Sequence, residues 1–203
     1  MKTVESKNRL YGTYVAIMIP LGVAINYVGG LLNTALGGPL YLDSIGTAVV
    51  AAVMGPWIGA LSGLLYNVVS ALIGGNIISA LFGICNIGTG VITGVMVRKG
   101  WFEKWWQALI INNVLVSFWN AATGSPIASV VYGGVDSSIG TSVSIAALQA
   151  IGADLVQAGF IARMPINLID KGIAALIAWI VVKRLPENLK SFNQPKAKEA
   201  AGN

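Results

Sequence analysis

The chain has 203 residues, a formal net charge of +5, 55% apolar residues, only 10% charged residues and a mean hydropathy of +0.73. A soluble domain carries roughly 25% charged residues, so this chain has too little charge to cover an aqueous surface and its main solvent must be lipid. One cysteine, Cys85, and no histidine exclude a disulfide framework and a cysteine-based metal site, and remove the commonest general base.

Residues 1–10 are basic and are not followed by a small-residue cleavage site, so they read as a cytoplasmic tail before a retained first helix. Apolar run one covers 11–32 and ends among Gly29, Gly30, Gly37, Gly38 and Pro39. Run two, 42–54, stops at Gly55-Pro56, because proline disfavours helix in the residue before it. Run three, 56–73, starts on a proline that a first helical turn tolerates. Gly74-Gly75 separates it from run four, 77–97. Run five extends from about 104 to 132, with a kink expected at Gly124 to Pro126. A turn at Gly133, Gly134 and Asp136 precedes a segment at 138–162, and run six spans 164–182. Residues 187–203 form a polar tail expected to be disordered. Most runs approach the roughly 20 residues that cross a bilayer as a helix, and the period-two alternation of a membrane β-barrel is absent.

Charge placement sets the expected topology. Eleven of the thirteen Lys and Arg fall in three clusters, at 2–9, 98–104 and 183–198, each flanking an apolar run. This is a positive-inside pattern and does not call for nucleic acid. Six crossings, with 138–162 as a non-crossing helical segment on the outer side, place every cluster and both termini in the cytoplasm. The expected fold is thus an all-α integral membrane domain over 11–186. Run two, at about 13 residues or roughly 20 Å, crosses only if protein surrounds it or the outer loop dips inward.

The scarce polar groups then gather toward the outer half. They include Asp43, Asp136, Asp154, Arg163 and the Asp170-Lys171 pair, together with Asn76, Asn112 and Asn113. The candidate binding residues are Asn26, Asn33, Tyr41, Asp43, Asn67, Asn86, Trp119, Asn120, Arg163 and Asn167. Amides, a few aromatics and few charges suit a small, polar, largely uncharged ligand. Each residue also has a structural reading. An Asn in a membrane helix is often interhelical glue, and Asp170 and Lys171, adjacent on a helix, diverge and can pair with different neighbours. Asp43 and Arg163 could neutralise one another. Most tryptophans sit near run ends as interfacial belts, whereas Trp119 is deeper and suits stacking. Gly12, Ala16 and Pro20 recur at four-residue spacing, as do Gly55, Gly59 and Gly63, and Gly90 and Gly94. Such faces admit close helix packing, and the first could dock a partner helix.

The stretch Leu40-Tyr41-Leu42-Asp43-Ser44-Ile45-Gly46-Thr47, with Gly55-Pro56, Gly59 and Gly63, resembles the second and third helices of S components of energy-coupling factor (ECF) vitamin transporters. Residues Pro165 through Gly172, PINLIDKG, resemble the start of that family's last helix. The resemblance implies a vitamin held unhydrolysed near the outer face, under the loop between the first two helices. It implies a membrane T protein and two cytoplasmic ATPases as partners, with docking through small residues on helix one, here Gly12, Ala16 and Pro20. The chain lacks a Walker motif, so ATP is expected to be used by the partners, and the chain itself is expected to carry no cofactor and no catalytic activity. Pyridoxine or a hydroxymethylpyrimidine is favoured as ligand, with cobalamin and pantothenate open. A membrane sensor that binds without transport is the alternative; an intramembrane enzyme would need an acid–base pair that the sequence does not offer.

Overall fold

A computed structural model describes residues 2–38, 40–135, 138–186 and 192–193. These residues form seven α-helices and, among them, no strand: α1 (Lys2–Ala35), α2 (Ile45–Met54), α3 (Pro56–Ile73), α4 (Gly83–Arg98), α5 (Asn113–Tyr132), α6 (Ile139–Ala150) and α7 (Leu155–Arg184). A 3₁₀ stretch, Ile77–Phe82, leads into α4, and a π-helical stretch, Gln107–Asn112, leads into α5. Five spans are long and apolar enough to cross a membrane: Leu10–Ala35, Pro56–Ile73, Ile77–Arg98, Gln107–Tyr132 and Leu155–Arg184. The protein is a helical membrane protein, as its composition requires.

The sixth expected crossing is only the ten residues of α2, about 15 Å at 1.5 Å per residue. Every residue from Gly46 to Met54 is buried, so α2 lies inside the bundle and meets no lipid along most of its length. Val50 and Met54 are 1% exposed and anchor the main apolar core, which Phe102, Ala108, Ala174 and Ala178 extend.

Both ends of α2 are satisfied from elsewhere in the chain. Its N-cap residue Ser44 makes no side-chain cap. Instead Asn26 of α1 accepts from Gly46 N at 2.7 Å and Thr47 N at 3.3 Å, and donates to Thr47 Oγ1 at 2.8 Å. These are amides that a helix start leaves without intrahelical partners. The backbones come this close because Gly22 and Gly46 face each other; a Cβ on Gly46 would sit 2.1 Å from Gly22 O. At the other end Pro56 has no N–H to give Ala52 O, the bond a continuing helix would make. Asn193 Nδ2 supplies it at 3.0 Å, reaching Ala51 O at 3.0 Å and Gly94 O at 3.3 Å as well. Its Oδ1 accepts from Arg98 Nε at 2.8 Å. Phe192 packs against Tyr11 and Tyr14, with ring centroids 5.5 and 5.3 Å away. The rest of the tail expected to be disordered lies outside the described residues, but these two side chains are packed.

The glycine faces pair α3 with α4. Gly90 faces Gly59 and Ala60, Gly94 faces Gly55 and Pro56, and a Cβ on Gly63 would meet Asn86 at 2.9 Å. Gly55, at φ +102°, holds the sharp join between α2 and α3 in a conformation that L side chains rarely adopt.

The basic segment before residue 10 is helical and continuous with α1 from Lys2, and Pro126 lies inside α5. One sequence expectation changes. The 138–162 segment is not one unit: Gly152, at φ +97°, ends α6, and Asp154 then caps α7 by accepting from Val156 N and Gln157 N at 3.0 Å. Residues 155–162 are therefore the first turns of a 30-residue helix that runs on through Pro165. That length, roughly 45 Å, exceeds the hydrocarbon thickness, so α7 tilts or projects. Helix α6 packs on these turns through Ile145, against Ala158 and Ala162.

Candidate functional site

At the end of the bundle opposite Arg98 and Lys183-Arg184 lies a cavity of about 460 Å³. It falls within the range of small-molecule sites, roughly 300–1,000 Å³. Its walls come from α3, α4, α5 and α7 and its rim from the segment between α1 and α2.

That segment is pinned to α7. Asp170 Oδ1 accepts from Leu42 N at 2.7 Å and Tyr41 N at 3.3 Å. Lys171 Nζ lies 2.6 Å from Asp170 Oδ2, 2.9 Å from Ser44 Oγ and 3.3 Å from Asp43 Oδ1. Lys171 also lies 5.7 Å from the Tyr41 ring centroid, within cation–π range. Asp170 and Lys171 are 1% and 3% exposed. Such buried charges persist only when paired and hydrogen-bonded, as these are. Adjacent positions on a helix diverge, yet the long lysine side chain folds back so that both reach the same loop. The cation paired with Asp43 is therefore Lys171, and Arg163 donates from Nη1 to Gly124 O at 2.7 Å instead.

Seven of the ten candidate binding residues meet at this cavity. Tyr41 and Asp43 stand at the rim, Asn67, Asn86 and Asn120 on α3, α4 and α5, and Arg163 and Asn167 on α7. The other three are elsewhere. Asn26 is fully buried and spent on the start of α2. Asn33 lies near the end of α1, where its carbonyl accepts from Gly38 N at 2.9 Å. Trp119 packs its indole over Gly88, where no side chain stands in the way, and donates from Nε1 to Ile84 O at 3.0 Å. The aromatic groups that do line the cavity are Tyr41, Phe82 and Tyr132, the last two stacked with centroids 6.0 Å apart.

Phe82, Tyr132 and Lys171 are lining residues that sequence reasoning left out of the site. A signal existed for Lys171, since a lysine inside an apolar helix next to an aspartate marks a paired or functional group. Nothing in the sequence distinguished Phe82 and Tyr132 from lipid-facing aromatics. Asp136 lies outside the described residues, Asp154 is a helix cap, and Asn113 ties α5 to α7 by donating to Leu168 O at 2.9 Å. Gly12, Ala16 and Pro20 are exposed along α1, and nothing lies within 4 Å of where a Cβ on Gly12 would be. Among the described residues no group of three or more Cys, Asp or Glu side chains is placed to hold a metal ion.

The arrangement is a chamber with a polar floor, an aromatic wall and a rim locked by buried charge. Comparison of the chain with protein-family models, curated proteins and solved structures found no match.

Proposed function

We propose that the chain is the substrate-binding S component of an ECF-type importer, taking a small vitamin from the outer face of the plasma membrane and delivering it inward. The observation that carries the reading is the cavity itself. It opens at the end of the bundle away from the basic clusters and has the segment between the first two helices at its rim. That is where the family resemblance of residues 40–63 implies a ligand. Six crossings with cytoplasmic termini follow if α2 counts as one. Its start lies beside Lys171 at the cavity end and its last carbonyls meet Asn193 and Arg98 at the basic end.

Delivery on this reading requires a membrane T protein and two ATPases that hydrolyse ATP, docked through the exposed Gly12, Ala16 and Pro20 face of α1. The chain acts as a binder and not as an enzyme. The cavity suits a single-ring vitamin of the pyridoxine or hydroxymethylpyrimidine type, with cobalamin and pantothenate as the other candidates. A thermal-shift screen of purified protein against B-type vitamins tests the binding half. Stabilisation by at least one supports it, and stabilisation by none sinks it. Co-purification of T and ATPase subunits tests the transport half; a ligand-binding protein that recovers neither is a sensor.

A further inference from the structure

The polar floor of the cavity is asymmetric in hydrogen-bonding sense. Asn67 Nδ2 donates to Gly63 O at 2.9 Å, and Asn86 Nδ2 donates to Asp43 O at 3.4 Å. Asn120 Nδ2 donates to Val116 O at 2.9 Å and to Thr89 Oγ1 at 3.0 Å. A backbone carbonyl only accepts, so each contact fixes which end of the amide is nitrogen. Asn120 thus spends both of its N–H groups on the protein, Asn67 and Asn86 one of two each, and all three leave an oxygen over. Asn86, 2% exposed, has a buried Oδ1 without a hydrogen-bond partner among the described residues. An orphan acceptor of that kind is costly unless something donates to it.

Lys171 Nζ donates to Ser44 Oγ at 2.9 Å and to Asp43 Oδ1 at 3.3 Å, and lies 2.6 Å from Asp170 Oδ2. Arg163 gives one N–H of Nη1 to Gly124 O. Around Lys171 two carboxylates face one ammonium, and Asp43, with 29% of its side chain exposed, lines the cavity.

We propose that the ligand is a small ring compound that turns hydrogen-bond donors, an amine or a protonated ring nitrogen, toward Asn86 and Asp43, and that ligands carrying a carboxylate there are rejected. The stacked Phe82 and Tyr132 give the ring a flat wall. This rests on the substrate-binding reading above and narrows it from vitamins in general to donor-bearing, neutral or cationic rings.

Matched pairs test it, by calorimetry on protein in nanodiscs at pH 7. Pyridoxamine is set against 4-pyridoxic acid, and 4-aminomethylpyrimidine against pyrimidine-4-carboxylate. The amine of each pair should bind at least about tenfold more tightly, the scale of one charged hydrogen bond gained or left unmade. Equal or tighter binding of the acids overturns the donor inference and leaves the cavity a small-ring site. Binding of none of the four overturns both readings. Asn86→Asp keeps the shape and adds negative charge, so it should widen the amine-to-acid ratio; an unchanged or narrower ratio counts against the proposal.

Discussion

The carboxylate of Asp170 accepts the backbone N–H of Leu42 at 2.7 Å across 128 residues of sequence. Leu42 sits at φ +54°, the one non-glycine residue with positive φ among those described. A leucine held there costs on the order of 1–3 kcal/mol and persists only where its surroundings over-determine it. Asp170 and Lys171 supply that constraint, so the rim of the cavity is a strained loop held by a buried charge cluster.

Asp170→Ala should therefore be far worse than its size suggests. It frees the Leu42 and Tyr41 amides and leaves Lys171 with only the more distant Asp43 carboxylate. Removing one partner of a buried ion pair typically costs about 3–5 kcal/mol. Asp170→Asn retains an acceptor for the two amides and should lose less. Thermal unfolding in detergent checks the order; equal melting temperatures for wild type and Asp170→Ala would show the cluster to be dispensable.

Asn193 is the second long-range staple. Asn193→Ala strands Ala52 O, which Pro56 cannot serve, and removes the partner of Arg98 Nε. The expected loss is about 1–3 kcal/mol, the usual cost of an unpaired buried polar group. Truncation after residue 186 should reproduce most of it in the same unfolding assay. A truncated chain as stable as the full one would mean that the tail contact contributes nothing.

The two aromatic positions separate binding from packing. Tyr41 stands at the cavity rim over Lys171, whereas Trp119 lies on the Gly88 backbone away from the cavity. Tyr41→Ala should weaken ligand binding about tenfold or more with little change in melting temperature. Trp119→Ala should do the reverse, lowering stability by about 3 kcal/mol as large-to-small substitutions do while leaving affinity near wild type. Calorimetry and unfolding on both variants decide it, and the opposite pattern would move the site toward Trp119.

Much of this arrangement is legible from residue type because membrane helices can hide few polar groups. Seven of the ten candidate binding residues line the cavity, and glycine spacing at 55–63 and 90–94 marks the α3–α4 contact. What pattern does not reveal is how a polar side chain is used. Asn26 and Asn86 look alike in sequence, and only the tertiary fold shows that one is consumed by the start of α2 while the other keeps an open acceptor. The start of α7 was hidden for a similar reason. Arg163 and Pro165 read as a boundary, yet the helix runs through both, because Asp154 caps it eleven residues before Pro165. The partner of Asp43 was a question of rotamer: the Lys171 stem bends back to a loop that helix geometry alone would assign to Asp170.

The topology hinges on α2, too short by length alone for a crossing yet buried along nearly its whole course. Ser44 at its start meets Lys171 near the cavity, and Gly55 at its end lies against Arg98 and Asn193. Neighbouring helices, not lipid, meet its sides, which removes the usual length requirement for a span. If α2 crosses, Lys104 faces the cytoplasm and Gly140 the outside. In a Cys85→Ala background, Lys104→Cys should resist a membrane-impermeant maleimide in intact cells and react after permeabilisation. Gly140→Cys should react in both. Were α2 a re-entrant element, α3 and α4 would exchange sides and Lys104→Cys would label from outside. That result would also place Arg98, Lys99 and Lys104 against the positive-inside rule, so one labelling experiment weighs the burial of α2 directly against its length.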